Sequence, residues 1–269
     1  MTGARPSPDG SISVAGVSPS IAPLLDLPDV GPALEAARAA VDAALADRAL
    51  RRRGGAVAAE AGLRSAVASA ALEGHAYDLG PVRGGTVTDP VVQGCLRVSL
   101  ALDGLAPRWS TAPRQVLARL HVLAARDCPG VDDASLGRPT GLGAGGGARL
   151  DALCELVVGT ASGEPALLRA AIVHGELLAL GAFAGPNGVV ARAASRLTLI
   201  ADGLDPRGVL PFDVAHLERQ PEYVGCANAF ATGTPDGLRA WIRHCATAAE
   251  LAAAALPELA RPILDDPAG

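Results

Sequence analysis

The chain has 269 residues, which is long enough for one large or two small domains with a buried core. Its formal net charge is −5 and its one short basic cluster is Arg51-Arg52-Arg53, so neither a nucleic-acid partner nor an anionic membrane surface is predicted. Five cysteines without a CxxC spacing argue against a disulfide framework and against a zinc site, and no metal is predicted.

Residues 1–20 mix proline, glycine and serine without periodicity, which predicts a disordered tail. The N-terminus lacks the basic start and the apolar segment of a signal peptide. No window reaches the ~18 consecutive apolar residues that a membrane-spanning helix needs. We therefore expect a cytoplasmic protein with no membrane contact.

Helical periodicity dominates the remaining sequence. Apolar residues recur at helical spacing over residues 32–53, and Gly54-Gly55 is predicted to end this helix. A second helix is predicted over residues 56–72, with Gly74 as its left-handed cap. Further helices are predicted at about residues 90–102, 112–125, 149–158, 165–180, 187–202, 214–218, 221–231 and 235–255. No alternating apolar pattern of useful length occurs, so the chain is predicted to be all-α.

Residues 130–147 interrupt the helices and end in a glycine-rich run, Gly141–Gly147. A glycine-rich loop can bind phosphate, but this one follows no strand and has no Lys-Ser/Thr ending. We interpret it as a flexible connection.

The segment GAFAGPNGVVAR, from Gly181 to Arg192, joins a predicted loop to the start of a predicted helix. It resembles the active-site motif of the Fic (Fido) family, HPFx(D/E)GNGRxxR, and matches it at Phe183, Asn187, Gly188 and Arg192. In that family the motif transfers AMP or a related phosphate-containing group to a hydroxyl.

Flanking segments extend the resemblance. The run AAIVH ends at His174, seven residues before Gly181, and resembles the AAxxH run that the family keeps at this spacing. SAALEG, residues 69–74, resembles the family's autoinhibitory helix motif, (S/T)xxxE(G/N). Glu222-Tyr223 and Trp241-Ile242 resemble positions in its last helices.

The resemblance implies a Fic (Fido) fold, a helical bundle with an N-terminal helical region. We assign residues 21–110 to the N-terminal region with the inhibitory motif and residues 111–256 to the Fic-like core. Residues 257–269 are predicted to form a C-terminal tail. A flap that aligns target peptides by strand addition lies near residues 130–147 in the family, and polyglycine is a poor strand former, so the flap is expected to be disordered or lost.

Three positions that carry the family's chemistry are different here. Gly181 replaces the histidine that takes a proton from the target hydroxyl. Gly185 replaces the acidic residue that holds magnesium, and Val189 replaces the first arginine, which binds a phosphate. No residue of the motif is therefore predicted to be catalytic, and magnesium binding is not expected.

The retained positions leave an anion site and an inhibitory pair. Asn187 and Gly188 would open a helix whose first backbone N–H groups bind phosphate, so ATP or another nucleotide is a candidate ligand. The alternative is that Asn187 is an ordinary N-cap. The resemblance implies that Glu73, within the motif that begins at Ser69 and ends at Gly74, pairs with Arg192 and blocks the nucleotide. The alternative for this pair is a structural role.

His174 and Phe183 are expected to be buried structural residues of the core. We interpret the chain as a catalytically impaired Fic-like protein that acts through a protein partner of unknown identity, a homodimer being one case, or by nucleotide sensing. The alternative is a divergent transferase that moves AMP or another phosphate-containing group to a protein hydroxyl, with His75 or His174 as base. A third hypothesis has the chain supplying its inhibitory helix to an active relative.

Overall fold

The computed structural model describes residues 20–159 and 163–264. This part of the chain contains no strand, and the predicted all-α class is confirmed. Two short 3-10 helices lie at Ala22–Asp26 and Asp133–Ser135. The α-helices are α1 (Val30–Leu45), α2 (Arg48–Leu72), α3 (Leu79–Arg83), α4 (Pro90–Trp109), α5 (Pro113–Ala125), α6 (Gly146–Val158), α7 (Ala166–Leu180), α8 (Asn187–Ala201), α9 (Phe212–Glu218), α10 (Gln220–Ala231) and α11 (Pro235–Leu264).

Within these described ranges, no helix combines the length and the apolar character needed to cross a bilayer. The predicted N-terminal tail falls outside the described residues, apart from Ser20.

The helix predicted over residues 32–53 is wrong at its C-terminal end. It is divided between α1, which ends at Leu45, and α2, which begins at Arg48. A break does lie beside Gly54, as predicted, because Arg53 is non-helical (φ −119°, ψ 19°) and α2 consists of two helical segments that meet there at a kink. A Cβ on Gly54 would lie only 3.2 Å from Cδ of Arg207. The absence of a side chain at Gly54 therefore permits a tertiary contact.

The last helix is longer than predicted. α11 continues to Leu264, so residues 257–264 of the predicted tail are helical, and residues 265–269 lie outside the described part. Pro257 and Pro262 lie inside the helix, although proline removes a backbone hydrogen bond there. Leu259 and Ala260 are buried in this segment, and α11 packs along α1. This burial offsets the cost of the prolines.

Helix α8 lies at the centre of the bundle. Residues 188–194 are all buried, because α2, α4, α5 and α7 contact α8 on different sides. The indole N–H of Trp109 donates to the Thr198 hydroxyl at 3.0 Å and joins α4 to α8. A loop that leads into α8 is thus fixed relative to most of the molecule.

The backbones of α4 and α5 approach closely at Gly94. A Cβ on Gly94 would lie 2.1 Å from the carbonyl oxygen of Ala124, which is a backbone atom and cannot rotate away. Gly104, in the same helix, is exposed and has no atom within 4 Å of its Cβ position.

We predict opposite effects for alanine at these two glycines. Gly94→Ala should lower the free energy of unfolding by about 1–3 kcal/mol, because α4 and α5 must move apart. Gly104→Ala should raise it by up to about 1 kcal/mol, because alanine is the better helix former. Chemical denaturation of both variants tests the pair, and equal effects would contradict the close approach.

Candidate functional site

The loop from Gly181 to Pro186 joins α7 to α8 and is braced by Asn187. The Asn187 side chain accepts from the Phe183 N–H at 2.9 Å and donates to the Phe183 carbonyl at 2.6 Å and to the Gly185 carbonyl at 3.1 Å. Asn187 is the first residue of α8, and the N-cap residue, Pro186, makes no side-chain capping bond. The N-cap alternative for Asn187 is therefore wrong: its amide holds the loop and does not cap the helix.

Phe183 anchors the loop in the core, as predicted. Its ring is buried and stacks on His121 of α5 with 4.7 Å between centroids. His121 Nε2 lies 2.7 Å from the Ala184 carbonyl oxygen, and the Gly137 N–H donates to His121 Nδ1 at 2.9 Å. A carbonyl accepts and an N–H donates, so the ring is neutral with its proton on Nε2. Burial lowers the pKa of His121, which favours this neutral form.

The glycine-rich segment packs directly on the loop. The Gly141 N–H donates to the Ala182 carbonyl at 3.0 Å, and a Cβ on Gly141 would lie 2.4 Å from the Gly181 carbonyl oxygen. Gly146 and Gly147 belong to α6. The interpretation of this segment as a flexible connection is wrong, because the absence of side chains allows close packing of two backbones.

The predicted contact between Glu73 and Arg192 is present, with 2.7 Å between Oε1 and Nη2. The Arg192 side chain is only 3% exposed. It also donates to the Ser69 hydroxyl at 2.9 Å, to the Ser69 carbonyl at 3.0 Å and to the Tyr223 hydroxyl at 3.2 Å. Gly74 follows Glu73 with a φ of 91°, and the Gly74 N–H bonds the Ala71 carbonyl, so it ends α2 as predicted.

Glu73 also lies over the first turn of α8. A Cβ on Gly188 would lie 2.1 Å from Glu73 Oε1, so the carboxylate fills the space beside this glycine. The N-terminus of a helix carries a partial positive charge and binds anions. The carboxylate of Glu73 therefore occupies the position in which the sequence predicts a phosphate.

A second carboxylate faces Arg192 from inside the bundle. Asp213 of α9 is buried, with Oδ1 at 3.4 Å from Arg192 Nε and Oδ2 at 3.8 Å from Arg196 Nη1. Neither Asp213 nor His121 is predicted as a site residue by the sequence. Both lie far along the chain from their partners, and no local spacing marks them.

Packing constrains two of the three substituted positions, and backbone conformation constrains the third. Gly185 has a φ of 82°, and a Cβ there would lie 2.8 Å from Val131 Cγ2. Gly181 is the left-handed C-cap of α7, with a φ of 51°. Val189 is buried and lines a cavity of about 10 Å³ with Ser65. The present backbone therefore disfavours an acidic side chain at 185, and the cavity at 189 is too small for a guanidinium.

The two histidines considered as substitute bases have other partners. His174 is buried, as predicted, and its Nε2 lies 3.0 Å from the Tyr223 hydroxyl. Burial lowers the pKa of His174 well below its usual range, and nearby His216 lowers it further. His75 Nδ1 lies 2.8 Å from Oδ2 of Asp89, the residue that caps α4. The base role of either histidine gains no support from these contacts.

Comparison with known proteins establishes the fold. No protein-family model matches the chain, and no curated protein matches it. Its structure is similar to that of a Fic family protein from Desulfovibrio desulfuricans G20, with a TM-score of 0.66 and 20% identity, over 84% of this chain and 74% of that one. It is also similar to a fragment of Fic-1 from C. elegans, with a TM-score of 0.67 and 19% identity, over 88% and 73% of the two chains. The chain has the Fic fold.

We predict a ranking of stability losses around Arg192. Arg192→Met should cost about 3–5 kcal/mol, because it leaves the buried Asp213 carboxylate with only the longer contact to Arg196. Glu73→Ala should cost less, about 1–3 kcal/mol, because Arg192 keeps Asp213, Ser69 and Tyr223 as partners. Thermal and chemical unfolding measure both changes. A larger loss for Glu73→Ala would contradict the assignment of Asp213 as the inner counter-charge.

We also predict that His121 makes stability depend on pH. Burial lowers its folded-state pKa below the ordinary 6.5, so the unfolded chain binds more protons as the pH falls through 6.5. The stabilising contribution is therefore present above pH 6.5 and is lost on acidification, by up to about 1.4 kcal/mol at pH 5.5. His121→Gln should reduce the loss of unfolding free energy between pH 7.5 and 5.5. Identical pH slopes in both proteins would contradict the neutral, buried ring.

Proposed function

We propose that this protein is a Fic-fold protein without transferase activity that acts by binding a protein partner or by sensing a nucleotide. The observation that carries the proposal is the position of Glu73. Its carboxylate lies 2.7 Å from Arg192 and fills the space over the first turn of α8, beside Gly188. The proposed anion site therefore keeps its helix N-terminus and Arg192, and the Glu73 carboxylate occupies it.

Loss of transfer is expected from the three substituted positions taken together. A positioned general base is worth roughly 10²–10⁴ in rate, and Gly181 offers none. Gly185 has no carboxylate for a magnesium ion that would neutralise phosphate charge, and Val189 cannot bind a phosphate oxygen. Such losses are not additive, but no part of the loop supplies a replacement for any of the three groups.

Nucleotide sensing is consistent with the charges around Arg192. Asp213 lies 3.4 Å from Arg192 and belongs to α9, so the guanidinium would keep a counter-charge if Glu73 moved away. A phosphate that replaced the Glu73 carboxylate would exchange one anion for another at the same helix N-terminus. The C-terminal end of α2 would move with Glu73, and a partner that contacts this end could detect the exchange.

A protein partner is the simpler form of the proposal. Ser69 and Glu73 contact Arg192 of the same chain, which argues against the hypothesis that this helix is supplied to another protein. Leu100 on α4 is 84% exposed, but a single exposed leucine does not by itself mark a partner surface. The identity of the partner is not specified by any contact.

The divergent transferase is the alternative. It is compatible with the same contact, because the Glu73–Arg192 pair has the arrangement that blocks nucleotide binding in autoinhibited members of the resembling family. An autoinhibited enzyme gains transfer activity when the inhibitory glutamate is removed, whereas a protein without transferase activity does not.

The test is to remove Glu73 and measure binding and transfer separately. Glu73→Gly should bind ATP at least tenfold more tightly than the unmodified chain in calorimetry, because Arg192 and the first turn of α8 become available. The gain should not depend on magnesium, because position 185 has no carboxylate. Neither protein should transfer label from ATP to itself or to a lysate. Glu258→Gly, which removes an exposed glutamate of α11, is the matched control and should leave ATP binding and the absence of transfer unchanged.

The results distinguish the candidate functions. Labelled transfer by Glu73→Gly would support the divergent transferase and overturn the proposal of a silent site. Absence of ATP binding by Glu73→Gly at millimolar nucleotide would exclude nucleotide sensing and leave partner binding.

A further inference from the structure

Three metal-ligating side chains converge on the side of α10 that faces α11. Glu222 and Cys226 are one helical turn apart on α10, and His244 projects from α11. One carboxylate oxygen, the thiol sulfur and one imidazole nitrogen all lie within 4.8 Å of one another. Among the described residues, this is the one group of three or more His, Cys, Asp or Glu with that property.

The spacing is close to that of ligands on one ion. A tetrahedral ion with a sulfur at about 2.3 Å and nitrogen or oxygen at about 2.0–2.2 Å holds its ligand atoms roughly 3.3–3.8 Å apart. His244 Nδ1 and Glu222 Oε1 are already 2.9 Å apart. Small side-chain rotations would therefore bring the three atoms to bonding distance.

The ligand types select the class of ion. A thiolate and an imidazole favour borderline transition metals over magnesium and calcium, which prefer oxygen ligands throughout. One carboxylate completes a set of three protein ligands, and a water molecule can take the fourth position of a zinc site.

His216 supports the ring of His244 from behind. His216 Nδ1 lies 3.0 Å from His244 Nε2, and both rings are buried. Without an ion, His244 Nδ1–H donates to the Glu222 carboxylate at 2.9 Å, and Nε2 accepts from His216 Nδ1–H. An ion bound at Nδ1 would displace that proton, and His244 with its proton on Nε2 would then donate to His216 Nδ1. Metal-binding histidines commonly donate their other N–H in this way, which fixes the tautomer and the ring orientation.

The group is reachable from solvent. The Glu222 side chain is 38% exposed and Cys226 is half-buried. Arg219 forms an ion pair with Oε2 of Glu222 and competes with an ion for this carboxylate. Because the Arg219 side chain is itself exposed, it can turn away at little cost.

We propose that Glu222, Cys226 and His244 form a site for one Zn²⁺-class ion, with His216 as a positioning residue. The proposal is independent of nucleotide binding. The sequence predicts no metal, because His244 lies 22 positions from Glu222 and no short ligand spacing links them. The site becomes visible only when α10 and α11 pack together.

Titration with Co²⁺ and Zn²⁺ tests the site in the full-length chain. We expect one ion per chain, and for Co²⁺ a thiolate-to-metal charge-transfer absorption. Cys226→Ser should abolish that absorption and weaken Zn²⁺ binding at least tenfold. Cys154→Ser, which removes a buried thiol of α6, is the matched control and should leave both signals intact.

Two further variants test the supporting residues. Arg219→Ala should tighten Zn²⁺ binding several-fold, because it frees Glu222 Oε2. His216→Phe should weaken binding by roughly 10–100-fold and retain the thiolate absorption, as expected for a residue that acts through a ligand. The proposal is overturned if the unmodified chain binds no stoichiometric Zn²⁺, or if Cys226→Ser binds it unchanged.

Discussion

The buried guanidinium of Arg192 is the interaction on which the centre of this molecule depends. A charge taken out of water is tolerated only when it is paired and hydrogen-bonded. The partners of Arg192 come from three helices and their ends: Ser69 lies in α2 and Glu73 directly after it, Asp213 lies in α9 and Tyr223 in α10. Arg192 itself lies on α8, so one side chain couples four helices. Displacing any of the four would leave a buried charge or a buried donor without its partner.

In the loop before α8, the positions that match the motif have roles within the fold. The matched positions have contacts within the chain: Asn187 bonds the loop backbone, Phe183 stacks on His121, and Gly188 leaves room for the Glu73 carboxylate. The substituted positions are those at which the family places groups that act on a ligand. Agreement with the motif at the matched positions therefore reports on the fold, and says nothing of transfer.

Periodicity in the sequence is sufficient to predict most helices, and the resemblance to the family's two motifs predicts the contact between Glu73 and Arg192 across 119 positions. Local signals failed where tertiary contacts prevailed. The prolines near the end of α11, which predict the end of a helix, are outweighed by burial. Asp213 and His121 could not be predicted as site residues, because each acts on a partner that is distant in the chain and no pattern in a single sequence links them.

The loop's own hydrogen bonds limit how another molecule can recognise it. The Gly141 N–H donates to the Ala182 carbonyl, and His121 donates to the Ala184 carbonyl. The Asn187 side chain donates to the carbonyl groups of Phe183 and Gly185. Four successive carbonyl groups thus already have donors within the chain. A peptide that binds by β-augmentation needs unpaired backbone groups to complete a ladder. If another molecule binds at this loop, these bonds favour recognition through side chains and shape complementarity over the addition of an extended strand.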